Sequence, residues 1–172
     1  MGSLICDERD QKFVMYEMLR IEELFRTERF SGYSRDMCDM VQDGARKLAE
    51  EIVFPVLVEG DREGCRIEDG NVRVPRCFHR NFRIFREGGW TTVSVSPEAG
   101  GQGFPLVIGM MSEEWFMHNF SLVGYAFLTA GAAHLIEAYG TEPQKRRYMK
   151  KMYECVWGGN MCLTEPGAGS DL

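Results

Sequence analysis

A chain of 172 residues with 44% hydrophobic and 27% charged side chains has the composition of a soluble globular protein and is long enough to bury a sizeable core. A net charge of −6 and a pI near 5.2 argue against a nucleic-acid-binding module, which needs a basic face. The apolar runs fall short of the roughly 20 residues of a membrane span, and the first ten residues lack the basic-then-apolar order of a signal peptide.

Cys6, Cys38, Cys65, Cys77, Cys155 and Cys162 form no Cys-x-x-Cys pair, and His79, His118 and His134 stand at no ligand spacing from them. Free or buried thiols in a reducing cytoplasm are the expectation, with no metal site.

Val14, Met18, Ile21 and Phe25 recur at three-to-four spacing, which predicts an amphipathic helix over 11–26. A second helix is predicted from Ser34 to about Phe54, with Met37, Met40, Val41, Leu48, Ile52 and Val53 as its apolar stripe and Pro55 as its stop. The acidic, glycine-bearing stretch from Val58 to Pro75 reads as a surface loop with a small hairpin around Val72 and Val74. Arg76 to Arg86 is a short helix burying Phe78, Phe82 and Phe85, and Gly88-Gly89 ends it.

Ser94 to Pro105 is a second glycine-rich loop, followed by helices over 106–119 and 122–139. Ala130, Gly131, Ala132 and Ala133 give the later helix a narrow face suited to close packing, and Gly140 is placed for a left-handed C′ residue. Thr141 and Gln144 form a capping box for a last helix carrying Lys145, Arg146, Arg147, Lys150 and Lys151. That basic cluster reads either as a phosphate-holding face or as a solvated one.

The chain is thus almost all-α up to Asn160, where Met161 to Thr164 reads as the first strand of something new. The strand leads into Pro166-Gly167-Ala168-Gly169-Ser170. Proline fixes one φ and removes a donor, while the glycines permit positive φ and close approach of the backbone to a ligand. The Thr164 and Ser170 hydroxyls add polar partners, a set suited to a planar group rich in oxygen and nitrogen or to a phosphate. Neither the P-loop nor the dinucleotide-binding glycine spacing is present. A plain turn after a strand satisfies the same spacing.

"CLTEPGAGSDL" resembles the flavin-binding signature of the acyl-CoA dehydrogenases, Leu/Val-Thr-Glu-Pro-x-Ala-Gly-Ser-Asp. "PEAGGQGFP" is similar to that family's Pro-Glu-x-x-Gly-Gly-x-Gly loop, and "YGTEPQKRRYMKKM" to its Gly-Thr-Glu-x-x-Lys-x-x-Tyr-Leu helix. The helix over 11–26 resembles the N-terminal extension of a larger subgroup of the 3-methylmercaptopropionyl-CoA dehydrogenase type. The resemblance implies the N-terminal helical domain of that fold, ending at the first strand of its middle β-domain. It implies an extension over 1–33, a helical domain over 34–159 and the start of the β-domain over 160–172.

It further implies FAD as cofactor, with Met161, Leu163, Thr164, Gly169 and Ser170 lining the flavin, and Ser170 also meeting the acyl-CoA substrate. An electron-transfer flavoprotein-type acceptor and a homo-oligomer belong to the same expectation. No residue matches the family's catalytic base: Glu113, Glu114 and Glu165 fall outside that motif. Two departures stand out, Cys155 to Asn160 in place of the usual Gly-x-Trp-x-Gly-Thr, and the missing aromatic at Ala99. The leading expectation is therefore the N-terminal part of an acyl-CoA dehydrogenase, unable to turn over alone. The alternatives are a stand-alone helical interaction module and an acyl-CoA oxidase of the same fold.

Overall fold

Asp7 opens the first helix by accepting from the backbone N–H groups of Arg9 and Asp10 (2.9 and 3.4 Å). In this computed structural model, which describes residues 5–160 and 162–170, α1 (Glu8–Lys12) starts before the predicted position and widens into a π-turn over Phe13–Met18. Arg20 then takes a left-handed φ of 50°, and a 3-10 turn over Ile21–Arg26 follows. The single helix expected over 11–26 is broken, and its stripe moves with it. A π-turn adds a residue to the turn, so Gln11, Met15 and Tyr16 are buried while Met18 is exposed.

Ser34 caps α2 (Arg35–Leu48) through the Met37 N–H at 3.3 Å. Here too the buried face differs from the expected one. Cys38, Gln42 and Ala45 line it, continued by Ala49 and Val53 in the turn that follows, whereas Met40 is 71% exposed. Pro55 does not stop the helical course. A π-turn over Ala49–Val53 and a 3-10 turn over Phe54–Val56 absorb its missing N–H, and α3 (Leu57–Glu63) resumes.

The predicted hairpin is present as β1 (Arg66–Glu68) and β2 (Asn71–Arg73), antiparallel with Ile67 opposite Val72. Asp69 and Gly70 both have positive φ (51° and 75°), as a tight primed turn requires. α4 (Arg76–Glu87) buries Phe78 and Phe85 as the spacing predicts, while Phe82, expected on the same face, is only half-buried. The side chain of Asn81 donates to the Ile52 carbonyl at 2.6 Å, satisfying a group at the irregular turn.

After the glycine loop come α5 (Leu106–Phe116), a 3-10 turn over Met117–Asn119, and α6 (Phe120–Tyr139). The Gln42 amide donates to the Ile108 carbonyl (3.0 Å) and the Ser112 hydroxyl (3.1 Å), and Asn119 donates to the Val53 carbonyl (2.8 Å). Small side chains on α2 thus bring it close to α5, and polar ones fasten the pair. The core beside this contact holds Met15, Tyr16, Ile21, Cys38, Val93, Phe104 and Ile108. The helical run Leu106–Tyr139 is long and apolar enough to cross a membrane, which the sequence reading did not anticipate. Core helices of soluble proteins meet the same criterion.

The described residues divide into two units at Gly124 and Tyr125. In the second, Thr141 begins α7 (Glu142–Gln144), and the Gln144 carboxamide oxygen accepts from the Thr141 N–H (2.8 Å) and hydroxyl (2.9 Å), as predicted. A π-turn over Lys145–Met149 leads into α8 (Lys150–Tyr153). Gly140 is not left-handed as expected. Its N–H bonds the Ile136 carbonyl, and a Cβ there would sit 2.5 Å from that oxygen, so close approach is what demands glycine.

Candidate functional site

The segment of interest leaves α8 from a fixed point. The N–H of Gly159 donates to the Thr129 hydroxyl at 3.0 Å. A Cβ on Gly159 would lie 2.8 Å from both Ala132 Cβ and Met152 Cε. The narrow alanine face of α6 therefore receives this backbone, the close packing that its composition predicted.

A second fastening lies one turn away. Tyr153 is 2% exposed and its hydroxyl meets both the Glu137 carboxylate and His134 Nδ1. A carboxylate only accepts, so the Tyr153 proton goes to Glu137 and His134 Nδ1 donates to the tyrosine oxygen. Burial, then the Glu137 carboxylate, hold the Tyr153 hydroxyl protonated well above the usual tyrosine range. Sequence reasoning missed both fastenings, because neither Thr129–Gly159 nor His134–Tyr153 is a local pairing.

Met161 lies outside the described residues. Cys162 to Thr164 run without a strand ladder, so the predicted strand is not formed among the described residues. A ladder needs a partner, and β1 and β2 pair only with each other. Leu163 is 53% exposed, and Thr164, Gly169 and Ser170 are exposed as well.

What is formed is a tight turn. The Glu165 N–H donates to the Ala168 carbonyl (2.9 Å) and the Ala168 N–H to the Glu165 carbonyl (3.1 Å), with Pro166-Gly167 at the tip. Neither Gly167 nor Gly169 uses positive φ, although the sequence permits it. A Cβ on either would meet nothing within 4 Å. Among the described residues the Thr164 and Ser170 hydroxyls and the backbone of 162–164 make no hydrogen bond. The turn therefore presents free donors and acceptors beside unfilled space.

The carboxylates near the motifs have other employment. Glu114 accepts from the Gln11 amide at 2.8 Å, and Glu165 opens the turn. Glu113 is half-buried, and desolvation pushes its carboxyl up. None of the three is placed as a base by a reacting group. The basic cluster behaves largely as a solvated face. Lys145 lies 3.5 Å from Glu142 and Lys150 3.8 Å from Glu154, while Lys151 sits over Trp157 and Arg147 over Tyr148. Among the described residues no group of three His, Cys, Asp or Glu could hold a metal ion.

The acyl-CoA dehydrogenase N-terminal domain family matches residues 36–155. The chain is 30% identical over 165 residues to 3-methylmercaptopropionyl-CoA dehydrogenase of Ruegeria pomeroyi, covering 95% of this chain and 28% of that protein. It is 32% identical over 169 residues to a butyryl-CoA dehydrogenase of Syntrophomonas wolfei, covering 95% and 28%. It is 33% identical over 168 residues to the broad-specificity linear acyl-CoA dehydrogenase FadE5 of Mycobacterium tuberculosis, covering 95% and 27%. The chain thus spans little more than a quarter of the length of these relatives.

Proposed function

The chain belongs to the acyl-CoA dehydrogenase family, and from that premise we propose that it supplies the N-terminal helical domain and the flavin-edge segment of an FAD-dependent enzyme. The reaction is α,β-desaturation of an acyl-CoA thioester. In this reading residues 1–33 are the extension, 34–159 the helical domain and 160–172 the opening of the middle β-domain.

The observation that carries the reading is the turn at 165–168. Among the described residues a Cβ on Gly167, or on Gly169 just beyond the turn, would meet nothing within 4 Å, beside the unpaired Thr164 and Ser170 hydroxyls and the backbone of 162–164. That donor set fits the edge of an isoalloxazine, whose ring presents alternating carbonyl and N–H groups. FAD, when bound, supplies the acceptor for the β-hydrogen, which leaves as hydride once a carboxylate has taken the α-proton.

The roles of this chain are to bind and to orient. The backbone at Met161 and Leu163 and the Thr164 side chain hold the ring edge. Gly169 admits the cofactor closely, and Ser170 meets both the pyrophosphate and the acyl-CoA. The Thr129–Gly159 clamp fixes where this segment begins. No residue of the chain is assigned as the base, so turnover requires sequence beyond it. An electron-transfer flavoprotein-type acceptor, a homo-oligomeric assembly and a cytoplasmic location complete the proposal.

Its test is a flavin titration of the 172-residue chain beside a polypeptide extended to the length of the relatives. The extended form should retain FAD and lose its visible absorbance on anaerobic addition of acyl-CoA, and the shorter form should do neither. A folded extended form without flavin, or flavin that acyl-CoA leaves unbleached, contradicts the assignment. Turnover by the shorter chain contradicts the division of roles.

A further inference from the structure

α4 carries its charges in an order that helix electrostatics disfavours. Arg76, Arg80 and Arg83 recur at i, i+4 and i+7 on the face opposite Phe78, Phe82 and Phe85, and all three are exposed, with His79 beside them. α4 itself has no acidic residue in its first turn, where the positive end of the helix dipole favours carboxylates; Glu63 of α3 takes that place, accepting from the Arg76 N–H and pairing with its side chain, both at 3.0 Å. Like charges one turn apart repel as well. Among the described residues that repulsion is left uncompensated at Arg80 and Arg83.

The neighbouring arginines show what neutralisation within the chain looks like. Arg66 meets Glu63 (3.2 Å) and Glu68 (3.5 Å), and Arg73 meets Glu68 (3.6 Å). Arg76 reaches Glu63 at 3.0 Å at the start of the row. Among the described residues Arg80 and Arg83 form no ion pair. From Arg62 to Arg86 every basic side chain other than His79 is arginine. A guanidinium offers a planar fork that matches a carboxylate with two parallel hydrogen bonds, which an ammonium cannot do.

We propose that the Arg76–Arg80–Arg83 face of α4 is a docking surface for an acidic segment of another protein. The row spans about 10 Å along the helix, two turns, and complements a partner helix with carboxylates at the same spacing. A net charge of −6 opposes the approach of a long polyanion such as RNA, whereas a local acidic patch meets only the row. So small a contact is transient rather than permanent.

The experiment measures fluorescence anisotropy of a labelled helical peptide with Glu at i, i+4 and i+7, titrated with the purified chain. The control peptide carries Gln at those positions. The Glu peptide should bind, and Arg80→Glu/Arg83→Glu should weaken it roughly tenfold or more. Arg80→Lys/Arg83→Lys should weaken it about threefold, because the charge stays and the fork is lost. Equal binding of the Gln peptide, or of the Glu peptide by the charge-reversed variant, overturns the proposal. So does tighter binding of a short RNA, or self-association of the chain that only the charge reversal abolishes. A lower melting temperature for the charge-reversed extended polypeptide places the row inside the molecule and equally overturns it.

Discussion

The loop between α4 and α5 and the turn after α8 are both rich in glycine, and they hold their glycines for opposite reasons. In the loop, a Cβ on Gly101 would lie 2.1 Å from the Val95 carbonyl oxygen. Gly103 takes a φ of 72°, and a Cβ there would approach the Tyr33 hydroxyl to 2.5 Å. In the turn, Gly167 and Gly169 have ordinary φ and open surroundings. The loop glycines are accounted for by the chain's own packing. The turn glycines face open space among the described residues, which is what the proposed cofactor role asks of them.

That contrast can be broken by substitution. Gly101→Ala pushes a methyl group into backbone that cannot give way, and should lower unfolding stability by about 3 kcal/mol in denaturant titration. Asn119→Ala leaves the Val53 carbonyl without its donor between the turns that follow α2 and α5, and should cost about 2 kcal/mol by the same measurement.

The third prediction concerns pH. Burial, then the Asp39 charge, push the Cys38 thiol up to about 11, above the roughly 8.5 of an unfolded cysteine. Its contribution is fully present below the unfolded value and is lost as pH rises towards the folded one. Stability should fall by about 1 kcal/mol near pH 9.5, and Cys38→Ala should flatten that slope. A slope unchanged by the substitution assigns the loss to other groups. The smallest effect is expected in the turn. Gly167→Ala should change stability by no more than about 0.5 kcal/mol, and a loss as large as that of Gly101→Ala would erase the contrast.

The positions of most helices were legible in the sequence, because apolar spacing and capping residues act locally. Ser34, the Thr141–Gln144 box and the Phe78–Phe85 face all sit where the pattern places them. Which face of a helix is buried was less legible. The π-turns over 13–18 and 49–53 slip the register by a residue, and nothing in the residue types announces them. α2 also hides small and polar residues and exposes Met37 and Met40, because close approach to α5 outweighs hydrophobicity there. Pro55 was misleading for a related reason, since the irregular turns around it take up its missing donor.

In the candidate site the order of residues from Leu163 to Ser170 carried the family resemblance, because its spacing is fixed along the chain. The contacts that start the segment were not legible. Thr129 and Gly159 are brought together only by the packing of α6 with the residues after α8.

Whether the open space beside the turn holds a cofactor, as proposed, is decided by Gly169→Val in a polypeptide extended to the length of the relatives. A Cβ at this position meets nothing within 4 Å among the described residues, and the backbone there has no positive φ. The expected result is a cofactor-free melting temperature equal to that of the unsubstituted form, with flavin content after purification reduced to a small fraction. Full flavin content with an unchanged melting temperature would contradict it.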